Sequence, residues 1–255
     1  MEGESRPSKK RVLVTFDVDG TLIHSSGPAS NRLHRRAFSH AFLDVFGIEG
    51  TIDAIQHHGQ TDPGVIVNTL VHYGIPSEVG SFHTWDVATE KLPVLKSRMI
   101  EYVREHAKDV GEGLEVLPGV DFLLQALSSN ENVAIGLVTG NLEEIGWLKM
   151  EGLGIKKYFT VPNFGGFGSD HIDRGHLVKI AADRAEKLFP GGFDLRVHVG
   201  DTPNDIKAAE FGGALAVGVC TGIFSKVELE QASSGGAVVL ADLRDGGSFM
   251  SLLGI

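Results

Sequence analysis

The chain has 255 residues, of which 42% are hydrophobic and 22% charged, and its formal net charge is −10. This composition is typical of a globular protein with a sizeable core, built as one large domain or as a main domain with an inserted one. The acidic balance and the lack of a basic stretch argue against a nucleic-acid partner. No apolar run reaches the length of a membrane span, so no membrane partner is expected.

The polar residues 1–10 are expected to form a disordered leader. They contain no apolar signal-peptide core, and the predicted compartment is therefore the cytoplasm. The single cysteine, Cys220, follows an apolar run and is expected to be a small core residue. The sequence leaves the oligomeric state open between a monomer and a homodimer.

Two carboxylates follow the first predicted strand, which covers residues 12–16. A short apolar run bounded by a turn signal is typical of a buried parallel strand. In open α/β sheets, ligands bind beyond the carboxyl ends of the strands, which is where Asp17 and Asp19 are placed. Gly20 allows a sharp turn directly behind them. An Asp-rich turn without a catalytic role is the alternative interpretation of this stretch.

Residues 24–113 show helical periodicity, and no strand is expected between Leu22 and Gly113. Capping residues mark the starts of three helices. These starts are Ser30 or Asn31, Thr61 or Asp62, and Thr84. We therefore predict an all-helical domain, residues 24–113, inserted after the first strand.

From Pro118 onward, strands and helices alternate as they do in α/β proteins. Strands are predicted at 133–138, near 158–161, and at 195–199, 214–219 and 238–240. Helices are predicted at 120–127, 142–153 and about 174–188, and from Pro203 onward. A glycine-rich loop is expected over residues 163–169. Residues 11–23 and 114–255 are thus predicted to form one α/β core around a Rossmann-like parallel sheet.

Polar residues follow three of these strands and should meet at one edge of the sheet. They are Asp17 and Asp19, then Thr139 and Asn141, then Asp201 and Asp205. Two charges about 4 Å apart repel by roughly 4 kcal/mol at an effective dielectric near 20, so these carboxylates need a cation. Oxygen ligands without cysteine or histidine favour Mg²⁺.

A magnesium ion together with Arg174 and backbone donors would suit a phosphate group. Arg174 begins the helix that follows the glycine-rich loop. In such a site one carboxylate can act as a nucleophile and form an aspartyl-phosphate, while another acts as general acid and base. The predicted partner is therefore a small phosphorylated metabolite.

The order of three motifs resembles the haloacid dehalogenase (HAD) superfamily, most of whose members are phosphatases. The motifs are Asp17–Thr21, Thr139–Asn141 and Gly200–Asp205. The resemblance implies a HAD-like α/β core, a helical cap of the first type formed by the insert, and phosphatase activity like that of phosphoglycolate phosphatases.

By this resemblance Asp17 is the nucleophile and Asp19 is the general acid and base. Thr139, Gly140, Asn141 and Arg174 would bind the phosphoryl group, with Thr139 and Arg174 counted as catalytic. The resemblance also implies that Mg²⁺ is held by Asp17, the backbone carbonyl of Asp19 and Asp201, with Asp205 in support.

The third motif of the superfamily is usually a lysine, and this sequence departs from that pattern. Arg174 stands at the matching place, and Lys179 is the alternative. Arginine also binds phosphate, although with the geometry of a fork and not as a point charge.

The segment Gly59–Asp62 resembles a cap loop that faces the substrate in related proteins. On this interpretation Thr61 and Asp62 bind substrate; on the other they only cap a helix. The adjacent His57 and His58 are expected to project apart in a solvated loop and not to bind a metal.

Other functions remain in competition with a phosphatase. A sugar-phosphate mutase of the same fold would need its cap to exclude water. A catalytically silent binding protein would have no need for a costly cluster of carboxylates. A dehalogenase is disfavoured because those relatives lack the aspartate found here as Asp19. A phosphonatase would need a cap lysine, and nothing singles out Lys91 or Lys96.

Overall fold

The computed structural model describes residues 10–27, 29–75 and 84–255. The first part of the chain contains two strands and three helices. These are β1 (Val12–Phe16), β2 (Ile23–Ser25), α1 (Arg32–Phe46), α2 (Asp62–His72) and α3 (Thr84–Glu105).

The rest of the chain alternates between strands and helices. The elements are β3 (Leu114–Val116), α4 (Val120–Ser128), β4 (Val133–Thr139), α5 (Glu143–Gly152), β5 (Gly165–Phe167), α6 (Gly175–Leu188), β6 (Leu195–Gly200), α7 (Pro203–Phe211), β7 (Leu215–Val219), α8 (Lys226–Ala232), β8 (Val238–Leu240) and α9 (Gly246–Leu253). The helices α8 and α9 were not predicted from the sequence.

Six of the strands form one parallel sheet in the order β5-β4-β1-β6-β7-β8. β1 lies inside the sheet, and its last residue, Phe16, is in register with Leu137 of β4 and Val199 of β6. All five residues of β1 are buried, which explains why four of them are apolar; the fifth, Thr15, donates its hydroxyl to the carbonyl of Val197. The predicted α/β class and the Rossmann-like parallel sheet are confirmed.

The apolar faces of the helices cover the sheet. Phe249 of α9 is buried and stacks on Phe16 of β1, with the ring centroids 6.3 Å apart. On α6, Leu177 and Ala181 pack in one buried cluster with Val138 of β4. Strand β1 is therefore enclosed by hydrophobic packing up to the residue before the first carboxylate.

Helices α1, α2 and α3 share a second hydrophobic core. Phe42, Ile66 and Met99, one from each helix, are fully buried in it. The same cluster includes Leu142 and Ile145 at the start of α5. The helical insert therefore rests on the element that follows β4, and this contact places it over the carboxyl edge of the sheet.

The expectation that no strand lies between Leu22 and Gly113 is wrong. β2 begins at Ile23 and pairs antiparallel with β3, so that Ile23 is opposite Val116 and Ser25 is opposite Leu114. Each strand has three residues, which is too short for an alternating pattern to stand out from its surroundings. The pair joins the chain entering the insert to the chain leaving it.

The strand expected near residues 158–161 is also misplaced. Lys156–Tyr158 forms a turn of 3₁₀ helix, and β5 lies instead within the predicted glycine-rich loop. A Cβ atom on Gly165 would lie 2.3 Å from the carbonyl oxygen of Leu137, and one on Gly166 would lie 2.0 Å from that of Leu177. Glycine is needed because two backbones approach this strand closely, and the same glycines made it resemble a loop.

Within the described residues, no helix combines the length and the apolar character that crossing a membrane requires. Of the predicted leader, only Lys10 falls within the described residues, and the rest of that prediction lies outside them.

Candidate active site

A cavity of about 430 Å³ opens at the carboxyl edge of the sheet, between the sheet and the helical insert. Its core side carries the polar residues that the sequence placed after β1, β4 and β6. Those lining it are Asp17, Asp19, Thr139, Gly140, Asn141, Arg174 and Asp201. From the insert, Asp62 and His34 are among the lining residues. The predicted convergence of three strand ends is thus present in the fold.

Asp17, Asp201 and Asp205 form a buried acidic cluster, with one carboxylate oxygen of each lying within 4.8 Å of the others. Oδ1 of Asp201 accepts a hydrogen bond from the hydroxyl of Thr21. A Cβ atom on Gly222 would lie 1.7 Å from Oδ2 of Asp201, so this position has room only for glycine. Close backbone packing therefore fixes the Asp201 carboxylate.

The cluster has the chemistry of a site for a hard divalent cation. Burial, reinforced by the charges of Asp205 and Asp19, raises the pKa of Asp17 to about 6. Burial and the charges of Asp17 and Asp205 raise the pKa of Asp201 to about 9. A divalent cation would stabilise the ionised form of both groups, and an all-oxygen donor set of this kind fits Mg²⁺. A metal ion can therefore be held here.

Arg174 provides a fixed positive charge beside this cluster. It is buried at the residue before α6, and its Nη2 donates to Oδ1 of Asp17 at 2.5 Å. Its Nε donates to Oδ1 of Asp205 at 2.9 Å. Although burial would lower the pKa of this guanidinium, the two carboxylates hold it above its ordinary value. Lys179 is exposed and is not among the residues that line the cavity.

Asp205 lies behind Arg174 and does not line the cavity. Its Oδ2 accepts hydrogen bonds from the backbone N–H of Thr202 at 3.0 Å and from the Thr202 hydroxyl at 2.7 Å, in the capping box that begins α7. Its Oδ1 contacts Nε2 of His198 at 3.3 Å as well as Arg174. Burial alone would raise the pKa of Asp205, but the charge of Arg174 holds it below its ordinary value. One oxygen of Asp205 is thus held by the start of α7, while the other orients Arg174.

The residues after β4 form a hydrogen-bonded group with Asp19. Nδ2 of Asn141 donates to Oδ2 of Asp19 and to the hydroxyl oxygen of Thr139, both at 2.8 Å. The carbonyl of Gly140 accepts from the backbone N–H of Asp62 at 2.7 Å. A Cβ atom on Gly140 would lie 2.2 Å from the carbonyl oxygen of Gln60. The absence of a side chain at Gly140 is thus what lets the Gln60–Asp62 loop dock on the core.

The two candidates from this loop, Thr61 and Asp62, have different places. The Thr61 hydroxyl accepts from the backbone N–H of Gly64 as the N-cap of α2 and donates to the carbonyl of Ile172 at 2.6 Å. Thr61 does not line the cavity, whereas Asp62 does. Oδ2 of Asp62 accepts from the backbone N–H of Leu142 at 2.8 Å. The loop therefore contributes a helix cap at Thr61 and a carboxylate at the cavity wall.

His57 and His58 do not project apart, so that expectation is wrong. Their rings stack with centroids 4.7 Å apart, and both residues line the cavity. Partial burial, followed by the charge of His57, lowers the pKa of His58. Gly59, the residue that follows them, has a φ of 72°, a conformation that favours glycine.

Three buried residues of the site were missed by the sequence analysis: His34, Lys149 and His198. Nζ of Lys149 donates to both carboxylate oxygens of Asp19, at 2.9 and 2.7 Å. Burial would raise the pKa of Asp19, but the charge of Lys149, helped by His34, holds it below its ordinary value. The imidazole of His198 lies between Thr15 and Asp205. Each sits in an element where periodicity alone predicts an ordinary surface or core position.

Comparison with known proteins agrees with this geometry. Residues 12–213 match the family model described as haloacid dehalogenase-like hydrolase. The chain belongs to this family. A phosphoglycolate phosphatase from Yersinia pestis is 28% identical to it over 213 residues, which are 82% of this chain and 81% of the phosphatase. The predicted family and the hydrolase class are confirmed.

Two solved structures share the architecture. A hydrolase from Pseudomonas syringae aligns with a TM-score of 0.59 and 20% identity, over 96% of this chain and 99% of its own. An archaeal β-phosphoglucomutase from Pyrococcus aligns with a TM-score of 0.56 and 18% identity, over 95% of this chain and 99% of its own. At these identities the likeness shows the haloacid dehalogenase-like fold.

Proposed function

We propose that this hydrolase is a Mg²⁺-dependent phosphatase that acts on a phosphate monoester of a small molecule through an aspartyl-phosphate. The observation that carries the proposal is the contact between Asp17 and Arg174 on the core side of the cavity. It puts a carboxylate nucleophile beside a fixed cation and inside a cluster of oxygen ligands. These are the groups that phosphoryl transfer to a carboxylate requires.

Asp17 and Asp19 have different roles in the proposed reaction, as nucleophile and as general acid and base. A carboxylate oxygen of Asp17 bonds to phosphorus while the ester P–O bond breaks, and Asp19 gives a proton to the departing alkoxide. Water then attacks the phosphorus of the aspartyl-phosphate and gives its proton to Asp19. Inorganic phosphate leaves, the Asp17 carboxylate is regenerated, and Asp19 is again ready to donate.

The remaining core residues bind and orient the phosphoryl group. Thr139, Gly140 and Asn141 offer a hydroxyl and amide donors at the cavity edge, and Arg174 offers a guanidinium. Asp17, the backbone carbonyl of Asp19 and Asp201 would hold Mg²⁺, while Asp205 supports the site through Arg174. When bound, the ion supplies positive charge that neutralises the carboxylates and the phosphoryl oxygens.

The insert side of the cavity supports a small anionic substrate. Arg35, His57 and His58 of the insert also line the cavity, and such groups suit a second negative charge on the substrate. The likeness to the Yersinia pestis phosphatase makes 2-phosphoglycolate, which carries a carboxylate next to its phosphate ester, the first substrate to test.

The test is steady-state hydrolysis of 2-phosphoglycolate and of an aryl phosphate, with Mg²⁺ and with a chelator. Asp17→Asn is compared with Asp121→Asn, which changes an exposed aspartate on α4. We expect phosphate release that needs Mg²⁺, is lost in Asp17→Asn and is kept in Asp121→Asn. Hydrolysis that survives in Asp17→Asn would refute the nucleophile. No hydrolysis by the wild type, with transfer between sugar phosphates instead, would favour a mutase.

A further inference from the structure

Lys149 is a buried cation for which the proposed reaction has no assigned role. Its side chain is 1% exposed, and it is the one lysine among the described residues that is buried. Lysine is almost never fully buried unless it is paired, because removing an ammonium group from water is costly. Its position on α5 therefore requires a specific partner, and the contacts around Nζ identify it.

The ammonium group of Lys149 has four acceptor atoms within reach of its three N–H bonds, so that one N–H is shared between two acceptors. They are the carboxylate of Asp19 at 2.7 and 2.9 Å, Oδ1 of Asn141 at 2.9 Å and Nδ1 of His34 at 3.3 Å. Since an ammonium can only donate, Nδ1 of His34 accepts, and Nε2 carries the proton donated to Oδ2 of Asp62 at 3.0 Å.

We infer that Lys149 is a positioning residue that fixes the carboxylate of Asp19, and that its contacts favour the ionised form of Asp19, which accepts the proton of the attacking water. This inference rests on the proposed function, because it assigns Lys149 a role through Asp19. Two hydrogen bonds from one nitrogen span both oxygens of Asp19 and hold the plane of the carboxylate. A third points Oδ1 of Asn141 at Lys149, so that Nδ2 of Asn141 faces Asp19 and Thr139.

The supporting contacts come from the helical insert. His34 lies on α1 and Asp62 begins α2, and both are buried. Asp62 is itself held by the backbone N–H of Leu142, directly before α5. Lys149 is therefore fixed from the core and from the insert, and it cannot swing away without leaving His34, Asn141 and Asp19 short of a donor.

The test compares Lys149→Met, which keeps the length of the side chain and removes the donors, with Lys149→Arg, which keeps the charge. The control is Arg184→Met, which removes a half-buried cation paired with Asp170 outside the cavity. With 2-phosphoglycolate and Mg²⁺, we expect kcat to fall by about 100-fold in Lys149→Met with little change in KM, the scale of a lost acid–base contribution. Lys149→Arg should lie between Lys149→Met and the wild type, and the control should keep full kcat.

A double variant separates positioning from general structural damage. If Lys149 acts through Asp19, adding Lys149→Met to Asp19→Asn should lower kcat by less than about threefold beyond Asp19→Asn alone. If the two losses multiply, Lys149 acts independently of Asp19 and the inference is overturned. Thermal melting of each variant identifies misfolding, and Lys149→Arg replaces Lys149→Met in the cycle if the latter does not fold.

A structural measurement decides the inference even if the protein hydrolyses no phosphate ester. In a crystal structure of Lys149→Met, or of Lys149→Arg, we expect the Asp19 carboxylate to leave its place and the Asn141 amide to reorient. An Asp19 carboxylate that stays in place would overturn the inference whatever the kinetics show. Failure of the proposed function would appear separately, as a wild type without phosphate release.

Discussion

Asp205 holds the guanidinium that reaches Asp17. Oδ1 of Asp205 accepts from Nε of Arg174 at 2.9 Å, while Nη2 of the same guanidinium lies 2.5 Å from Oδ1 of Asp17. Asp205 is in turn fixed by the capping box of α7. The start of α7 therefore helps to determine where Arg174 contacts Asp17, the proposed nucleophile. The planar fork of arginine is what makes a contact with both carboxylates possible.

Arg174→Lys should therefore be a severe substitution. A lysine keeps the charge but cannot span Asp17 and Asp205 with a rigid fork. We expect kcat/KM for 2-phosphoglycolate to fall by about 100-fold, the scale for losing an electrostatic contact to the reacting group. Steady-state kinetics measures this, with Arg184→Lys as the control because Arg184 pairs with Asp170 outside the cavity. Equal losses in both variants would contradict the assignment.

Mg²⁺ binding should strengthen as the pH rises. The pKa of Asp201 is raised from 3.8 to about 9 in the folded protein, so at neutral pH the folded, metal-free state holds a proton that the unfolded chain has lost. The raised pKa of Asp201 therefore adds to the free energy of unfolding of the metal-free protein. This addition is complete below about pH 4 and is lost as the pH rises towards about 9. A cation must displace this proton, so affinity should rise by up to about tenfold per pH unit over this window.

Thermal melting with and without Mg²⁺, at about pH 5.5 and about pH 8, checks this linkage. The increase in Tm should be larger at the higher pH in the wild type and in Asp121→Asn. It should vanish in Asp201→Asn, which removes the proposed ligand. An increase that does not depend on pH would mean that metal binding displaces no proton from this cluster.

Gly140→Ala should disturb the docking of the insert loop without unfolding the protein. The new Cβ atom would lie 2.2 Å from the carbonyl oxygen of Gln60, so the loop would have to move away. Misplacement of binding groups by about 1 Å can cost about 100-fold in rate, and we expect a loss of kcat/KM of that order. The matched control is Gly246→Ala, whose Cβ atom would meet nothing closer than 3.9 Å. Unchanged kinetics in Gly140→Ala would show that loop docking is not needed for turnover.

Phe249→Ala should lower the free energy of unfolding without changing kcat. Phe249 is 1% exposed and stacks on Phe16, away from the cavity. Removal of a buried phenylalanine typically lowers the free energy of unfolding by about 3–5 kcal/mol. Denaturant unfolding measures this, while kcat below the unfolding transition should match the wild type. Phe122→Ala, which changes an exposed phenylalanine on α4, is the control. A loss of kcat in folded Phe249→Ala would show that α9 acts on the site.

The strand ends of the site could be predicted because each carries its signal locally. An apolar run followed by Asp17 and Asp19 identifies both a buried strand and its carboxyl end. The topology of a parallel sheet then brings such ends together without any knowledge of side-chain contacts. Motif position favours Arg174 over Lys179, and Arg174 is the one of the two that lines the cavity.

Lys149 and His34 could not be predicted in the same way. A lysine on a helix is ordinarily solvated, and its burial here depends on Asp19, which is 130 residues away along the chain. His34 lies on the apolar face of α1 and differs from a packing residue through its contacts with Lys149 and Asp62. Strand β5 was missed for a related reason, since its glycines are explained by neighbouring backbones and not by local sequence.

The central position of β1 has a consequence for synthesis on the ribosome. β1 pairs with β4 and β6, and Asp17 depends on Arg174 and Asp201 to complete its surroundings. A nascent chain that has emerged only through α5 possesses Asp17, Asp19 and the neighbouring strand β4, but it lacks β6, Arg174 and Asp201. The acidic centre is therefore assembled late, and no active fragment precedes the emergence of β6 and α7.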